Sequence, residues 1–247
     1  MTNDDHDGGT TADAPDEAAG PLAGARSLRR GTLDGATLPA LVKDLLTAAG
    51  RDEDVEALVD DVDTIVDDIS DFAGDVFLYE GDLHVTGDFD TMDLGVLVLV
   101  VTGDLIVSGC YGDYDDPQSH VIVKGSLHAR DVWTSGFLTV LKDLDVANAV
   151  VGDYNDCDTV VGGDVRCRFF FPEEHYFTVG GALRAAHFAG NTEYRVISSE
   201  KYIGMTCSEF TSLYGTDLVA EDSDPSSTYF IDFDKLRKGV HEGRLVF

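Results

Sequence analysis

One short pattern recurs six times between Phe77 and Ala185 and limits the folds that this chain can adopt. Each copy places two alternating apolar residues before a turn and two after it, and the turn holds glycine in all copies but one. The turn residues are Gly81, Gly103, Gly125, Lys142, Gly163 and Gly181, spaced 22, 22, 17, 21 and 18 residues apart. Two short strands that recur about every twenty residues are typical of β-solenoid coils. The sequence therefore predicts a mainly β fold: a single-stranded parallel β-solenoid (β-helix) of about six coils.

Stacking of these coils predicts ladders of equivalent side chains in the core. Neighbouring parallel strands lie about 4.8 Å apart, so each inward residue should lie beside its equivalent in the next coil. One predicted ladder contains Leu83, Leu105, Leu127, Leu144, Val165 and Leu183. The other contains Tyr79, Val101, Val123, Val140, Val161 and Val179. Glycine at the turn is expected to allow a positive φ, and Lys142 predicts a different shape for the fourth turn.

The flanking sequences divide the chain into four predicted parts. Residues 1–30 are rich in Asp, Gly, Ala, Thr and Pro and are expected to form a disordered acidic tail. Residues 31–75 hold two helical patterns, at 37–49 and 55–69, and are expected to form a helical N-terminal cap. The solenoid is assigned to 76–187, and an irregular C-terminal cap region to 188–247. Caps are expected because the open ends of a solenoid expose unpaired strand edges.

The second helical pattern is strongly amphipathic. Its apolar residues follow steps of three and four and are Val55, Leu58, Val59, Val62, Ile65, Val66 and Ile69. Acidic residues take other positions, among them Glu56, Asp60, Asp61, Asp63, Asp67 and Asp68. A helix with this pattern must lay its apolar stripe on an apolar surface.

The charge of the chain limits its partners. Forty-seven acidic and 17 basic residues give a formal net charge of −30. This charge repels phosphate backbones and anionic lipids, so we expect no nucleic-acid binding and no membrane binding. Two interpretations remain: a solubilising surface, which includes adaptation to a saline cytoplasm, and an acidic face that steers a basic protein partner.

The sequence favours a cytoplasmic location. No apolar run approaches the about 20 residues that a membrane-spanning helix requires, and the acidic N-terminus lacks the apolar core of a signal peptide. The four cysteines, Cys110, Cys157, Cys167 and Cys207, form no CxxC pair. We expect them to be reduced and either buried or incidental.

Two nearly identical acidic stretches are the best candidate for a site. GDYDD begins at Gly112 and GDYND at Gly152, and their distances from the turn residues place them at one corner of the solenoid, two coils apart. The predicted partner-binding residues are Tyr111, Asp113, Tyr114, Asp115, Asp116, Tyr154, Asn155 and Asp156. Tyrosine rings offer contact area and cation–π interactions, and carboxylates select positive charge. The alternatives are ordinary polar turns and a Ca²⁺ site, although EF-hand spacing is absent.

The sequence contains no established catalytic or cofactor motif. It lacks GxxxxGK[ST], GxSxG and a dinucleotide fingerprint, so no catalytic residue, metal ligand or cofactor is assigned, and we do not expect an enzyme. The stretch Glu173-Glu174-His175 could supply acid–base chemistry on a polysaccharide, as in carbohydrate-active β-helices. Adjacent residues of a strand point to opposite faces, which weakens the two glutamates as a catalytic pair.

The repeated Φ-x-Φ-x-G-D-Φ-x-Φ pattern resembles the solenoid of polymer-forming cytoskeletal proteins of the bactofilin type. The sequence from Gly81 through VVGDYNDCDTVVGGDV to HYFTVGG is more similar to a group of largely uncharacterised bacterial β-solenoid proteins. The resemblance covers about 77–187. It implies either a filament-forming scaffold or an accessory or immunity component that acts beside a secreted toxin.

Two functional hypotheses follow. The first is a non-catalytic protein-binding module, for example an immunity-type inhibitor, whose acidic tyrosine-bearing face binds a basic protein. The second is a structural protein that self-associates through the solenoid ends into filaments. The predicted caps and the charge of −30 favour the first hypothesis. A carbohydrate-active β-helix enzyme is the least favoured.

Overall fold

A computed structural model describes residues 20–23, 26–27, 75–116, 118–153, 156–221 and 223–247. The predicted helices at 37–49 and 55–69, and hence the helical N-terminal cap, lie outside the described residues, as do Tyr154 and Asn155. Within the described residues, parallel sheets form a β-solenoid of about six turns, which confirms the fold class predicted from the repeat.

The coils are built from short strands. In chain order these are β1 (Arg26–Ser27), β2 (Asp75–Tyr79), β3 (Leu83–Val85), β4 (Phe89–Asp90), β5 (Val96–Val101), β6 (Leu105–Val107), β7 (Cys110–Gly112), β8 (His120–Val123), β9 (Leu127–Ala129), β10 (Asp131–Thr134), β11 (Phe137–Val140), β12 (Leu144–Val146), β13 (Ala149–Gly152), β14 (Asp158–Val161), β15 (Val165–Phe171), β16 (Tyr176–Val179), β17 (Leu183–Phe188) and β18 (Val196–Ile197).

The strands form three rows along the solenoid. The first sheet has the order β1-β2-β5-β8-β11-β14-β16-β18. The second sheet joins a middle row, β3-β6-β9-β12-β15, to a third row, β4-β7-β10-β13-β15. The first four coils therefore have three strands each, one more than the sequence pattern predicts. In the last two coils, the long strands β15 and β17 replace the second and third strands.

Both predicted ladders are confirmed by the strand register. Leu83 pairs with Leu105, and the series continues through Leu127, Leu144 and Val165 to Leu183. The valine ladder runs from Tyr79 to Val179 in the same way. All ladder residues except the half-buried Tyr79 are buried. Full burial of one such aliphatic side chain contributes about 1.5–3 kcal/mol, so the ladders supply much of the stability of the core.

Most turn glycines are required by close packing between coils, which corrects the expected positive φ. Gly81 does have a φ of 99°. At Gly103, however, a Cβ atom would lie 2.2 Å from Asp82 Oδ1. That carboxylate occupies the space because it accepts a hydrogen bond from the backbone N–H of Asp104 at 2.8 Å. The Gly-Asp pair thus works between coils: each aspartate binds the next turn, and each glycine leaves room for the aspartate before it.

This arrangement explains why Lys142 can replace glycine. The preceding coil carries Ser126 instead of aspartate, and its shorter side chain accepts a hydrogen bond from Asp143 N at 3.4 Å. The Lys142 N–H to Gly125 carbonyl bond is also long, at 3.2 Å. The looser spacing at this turn provides room for the Cβ atom of Lys142.

Described residues cover both ends of the solenoid. At the first coil, β1 pairs antiparallel with β2, and Leu22 of the 3-10 turn Gly20–Leu22 packs into the core. The disordered acidic tail at 1–30 stays a prediction, and within it Leu22 packs on the apolar core of the first coil. At the last coil, a short helix α1 (Thr192–Arg195) leads into β18, and Tyr202 stacks on Phe188 with ring centroids 4.9 Å apart.

The remaining C-terminal residues pack along the side of the solenoid. Helices α2 (Cys207–Tyr214) and α3 (Phe233–His241) cover the outward face of the third row. Outward residues of that row form a second apolar cluster with both helices and the C-terminus, including Trp133, Phe169, Phe210, Leu236 and Phe247. The C-terminal cap region at 188–247 stays a prediction, and the helices within it pack on the apolar outer surface of the third row.

Candidate partner-binding site at the acidic corner

The two acidic stretches lie where the third strand of a coil turns into the first strand of the next. They occupy the same corner, as the sequence predicts, but their registers differ by one residue. Gly112 pairs with Trp133, whereas Gly152 pairs with Thr134, so Gly152 corresponds to Asp113. A shift of one residue in a strand reverses the direction of each side chain. Residues at equivalent positions of the two pentapeptides therefore point to opposite faces of the sheet.

The first stretch turns its aspartate into the protein. Asp113 is buried and accepts hydrogen bonds from Ser135 N at 2.7 Å and Gly136 N at 2.8 Å. It also accepts from Tyr111 Oη at 2.8 Å and Thr134 Oγ1 at 3.1 Å. Burial raises the pKa of Asp113, and these four hydrogen bonds oppose that rise. Asp113 thus holds the turn of the following coil.

A chain of buried polar groups continues from Asp113 across the coils. The hydroxyl oxygens of Thr134 and Thr159 lie 3.2 Å apart, and Thr159 Oγ1 lies 3.0 Å from His175 Nε2. His175 is buried, with its ring against Phe177. The sequence signal for this network was a polar residue at an inward position of a strand, namely Thr134 in β10 and Thr159 in β14. The sequence analysis missed this signal. The network connects the second, third and fifth coils through the corner.

The predicted site residues separate into a buried and an accessible set. Tyr111 and Asp113 are buried and offer no surface to a partner, which corrects their place in the predicted surface. Tyr114 and Asp115 are half-buried, and Asp116 and Asp156 are exposed. Tyr114 donates a hydrogen bond from Oη to Asp90 Oδ2 at 2.9 Å. The structure makes no statement on Tyr154 and Asn155, which lie outside the described residues.

An arginine of the same chain already contacts the corner. The guanidinium carbon of Arg237 in α3 lies 5.4 Å from the centroid of the Tyr114 ring and 5.6 Å from the Trp133 ring. Both distances suit a cation–π contact. Arg237 was missed from the sequence because it follows Tyr114 by more than a hundred residues. Its position demonstrates that this tyrosine can receive a basic side chain.

Carboxylates at the corner repel one another. Burial raises the pKa of Asp153, and Asp115 and Glu174 raise it further, while Arg237 lowers it. Burial also raises the pKa of Glu173 to about 7, helped by Glu174 and Asp153 and opposed by Arg195. Burial is the main cause of both shifts, and the neighbouring carboxylates add to it. We call Tyr114, Asp115, Asp116, Asp153, Asp156 and Glu174 the acidic corner.

The thiol of Cys157, the cysteine at this corner, is unreactive. Burial raises the pKa of Cys157 to about 12, and nearby aspartates such as Asp113 and Asp115 add to the effect. The thiolate, which is the reactive form, is therefore disfavoured. Cys110, Cys157 and Cys207 are buried and Cys167 is half-buried, and all four are free thiols. The corner is a charged surface with no activated thiol.

The described part of the chain holds neither a metal-binding cluster nor a membrane-spanning helix. Across those residues, no group of three or more His, Cys, Asp or Glu side chains is arranged to hold a metal ion. No described helix has the length and apolar character needed to cross a membrane.

The fold and the corner define the class: a parallel β-solenoid protein with a strongly acidic surface corner. No protein-family model matches the chain, and comparisons with curated proteins and with solved structures found no match. The resemblance to bactofilin-type and immunity-like proteins therefore stays a prediction from the repeat and its motifs.

Proposed function

We propose that this β-solenoid is a non-catalytic protein-binding module that uses the acidic corner to bind a basic protein. An immunity-type inhibitor, which occludes a basic toxin, is the form of this function that the sequence resemblance implies. The proposed partner places arginine or lysine side chains among the carboxylates of the corner. Arg237 beside Tyr114 indicates the geometry that such a side chain can adopt.

The observation that carries the proposal is the crowding of carboxylates. Burial raises the pKa of Asp153, Arg237 opposes this rise, and Asp115 and Glu174 lie close enough to add to it. Bringing a cation to carboxylates that repel one another relieves the repulsion, so positive charge from a partner is favoured there. The surrounding charge of −30 would also speed the approach of a basic protein.

The ends of the solenoid support a binding module over a filament. A filament requires the edge strands of one copy to pair with those of the next. Here β1 occupies the free edge of β2, and β18 with Tyr202 covers the last coil. End-to-end stacking would have to displace these residues.

The proposal can be tested with two variants of equal charge. The corner variant carries Asp115→Asn, Asp116→Asn and Glu174→Gln. The control variant carries Glu80→Gln, Glu200→Gln and Asp217→Asn, which are exposed and lie elsewhere on the surface. Each set removes three negative charges and changes the formal net charge from −30 to −27.

Basic proteins captured from the native host by the wild-type chain would be purified, and their affinity for each variant measured by calorimetry. Exposed ion pairs contribute about 0.5 kcal/mol each, so the corner variant should bind about tenfold more weakly. The control variant should bind within about twofold of wild type. Equal weakening by both variants would mean non-specific attraction, and unchanged binding by the corner variant would place the site elsewhere.

A further inference from the structure

Residues 245–247 lie against the outer surface of the third row and belong to no described strand. Leu245 is half-buried and Phe247 is buried, whereas Val246 between them is 73% exposed. Alternate burial of this kind is typical of an extended backbone, in which residues two apart share a face. Leu245 and Phe247 therefore face the solenoid, and Val246 faces water. We call residues 245–247 the docked segment.

A single buried asparagine binds the backbone of the docked segment. Asn148 lies just before β13 and is 6% exposed. Its Nδ2 donates a hydrogen bond to the carbonyl of Leu245 at 2.8 Å, and its Oδ1 accepts one from the N–H of Phe247 at 2.8 Å. The carbonyl of one residue and the N–H of the second residue after it lie on the same side of an extended chain. The side-chain amide of Asn148 therefore pairs with this chain as a neighbouring strand would.

A buried carboxylate fixes the orientation of that amide. Asp131 is fully buried, and its Oδ1 accepts a hydrogen bond from Asn148 Nδ2 at 2.7 Å. A flipped amide would place Oδ1 of Asn148 against the carboxylate, so the observed orientation is the one that satisfies both groups. Asp131 Oδ2 also accepts from Arg130 Nε at 2.5 Å, and Arg130 Nη2 donates to the carbonyl of Val240 at 3.1 Å. The donors that meet residues 240–247 are thus held in place by the solenoid itself.

Two aromatic rings form a pocket for the last side chain of the docked segment. The ring of Phe247 stacks on Phe169 of β15 with centroids 4.1 Å apart, and the ring of Tyr214 in α2 meets it edge-on at 5.3 Å. Phe247 is 6% exposed in this pocket. In sites that bind extended peptides, backbone hydrogen bonds supply affinity and side-chain pockets supply specificity. Asn148 and the ring pocket divide these two tasks in the same way.

We propose that Asn148, Phe169 and Tyr214 form a peptide-binding site, which a partner protein occupies with an extended segment of the pattern leucine, any residue, phenylalanine. The docked segment demonstrates the fit, since it occupies the site from the same chain. Its middle residue faces water, so the site selects the first and third side chains. A short segment held by side chains opens locally at a lower free energy than the whole fold, which allows a partner segment to exchange with it. The site contains no residue of the acidic corner and is therefore a second, separate surface.

Fluorescence anisotropy with the full-length chain tests this site. The probe is a labelled peptide with the sequence of residues 243–247, GRLVF. In the wild-type chain the docked segment competes from the same molecule at a high effective concentration. Phe247→Ala removes the ring of that competitor, so this variant should bind the probe at least about tenfold more tightly than wild type does. Phe247→Leu, which keeps more of the apolar contact, replaces it if the alanine variant does not fold, and circular dichroism checks that each variant is native.

Changes in the probe provide controls that leave the protein intact. Alanine in place of the phenylalanine empties the ring pocket and should weaken binding at least about tenfold. Methylation of the phenylalanine nitrogen removes the N–H that donates to Asn148 and should weaken binding about tenfold. Alanine in place of the valine, which faces water, should change the affinity less than about twofold. The proposal is overturned if the folded variant does not bind the probe, if wild type binds it equally well, or if all four peptides bind alike.

Discussion

The corners at GDYDD and GDYND have nearly the same sequence and opposite internal structures. At the first corner, Asp113 is buried and accepts one hydrogen bond from Tyr111 of its own coil and three from residues of the next coil. At the second corner, Gly152 occupies the corresponding inward position, and Asp153 lies one residue further on, half-buried among other carboxylates. A local sequence therefore does not determine the role of its residues in a solenoid. The register against the neighbouring coils decides which face each side chain takes.

The largest difference between the corners should come from their aspartates. Asp113→Ala leaves two buried backbone N–H groups and two hydroxyls without an acceptor, so the free energy of unfolding should fall by about 3–5 kcal/mol. Asp153→Asn should change it by less than about 0.5 kcal/mol, because a crowded carboxylate is neutralised. Urea denaturation followed by circular dichroism measures both. Similar losses for the two variants would contradict the difference in register.

The first glycines of the two stretches should also differ. A Cβ atom at Gly152 would lie 2.6 Å from His175 Cβ and 2.6 Å from Phe177 Cε2, so Gly152→Ala should cost about 2–3 kcal/mol. At Gly112 the nearest atoms lie 3.6 Å away, in ordinary contact, and Gly112→Ala should stay within about 1 kcal/mol of wild type. Thermal unfolding of the two alanine variants measures which one loses more stability. A larger loss for Gly112→Ala than for Gly152→Ala would refute the assigned register.

The buried carboxyl group of Glu173, near the second corner, predicts that the stability of the protein depends on pH. Burial raises the pKa of Glu173 above its ordinary value of 4.5 to about 7, so the folded state binds this proton more tightly than the unfolded state. The contribution of Glu173 to stability should therefore increase as pH falls from about 7.5 to 4.5, by about 1–2 kcal/mol after allowance for its partial exposure. Denaturation midpoints of wild type and Glu173→Gln across this range isolate the effect. A parallel pH profile for the two proteins would exclude it.

The tyrosine variants should show the smallest differences in stability. Tyr111→Phe removes a buried donor to Asp113 and should cost about 1–1.5 kcal/mol, whereas Tyr114→Phe removes a half-buried donor to Asp90 and should cost about 0.5 kcal/mol. Since phenylalanine keeps the ring, both variants should retain native circular dichroism. A larger loss at Tyr114 would mean that the accessible corner is more important for folding than the buried one.

The sequence predicted the repeating part of the fold well because its signal is local. Alternating apolar residues on either side of each turn specify which side chains face inward, and this was enough to predict both ladders in their observed register. The third strand of the first four coils was missed because its residues vary in spacing from the turn. The sequence predicted glycine at the turns but not the structural reason for it. A Cβ atom at Gly103 would clash with Asp82, and this clash arises only between stacked coils.

The candidate site was less predictable because it depends on contacts between distant residues. Its corner was located from the spacing of two acidic stretches, but the inward direction of Asp113 follows from hydrogen bonds to Ser135 and Gly136 in the next coil. Arg237 reaches Tyr114 only because α3 packs on the side of the solenoid.

By itself, the sequence determined that the chain winds as a solenoid with leucine and valine ladders, since a period of two and a recurrent turn are encoded within each copy. Tertiary structure alone decided the one-residue offset between the corners, the side position of the C-terminal helices and the contact of Arg237. Each of these depends on which surfaces meet after the coils have stacked, and the free energy of that choice is shared among residues far apart in the chain.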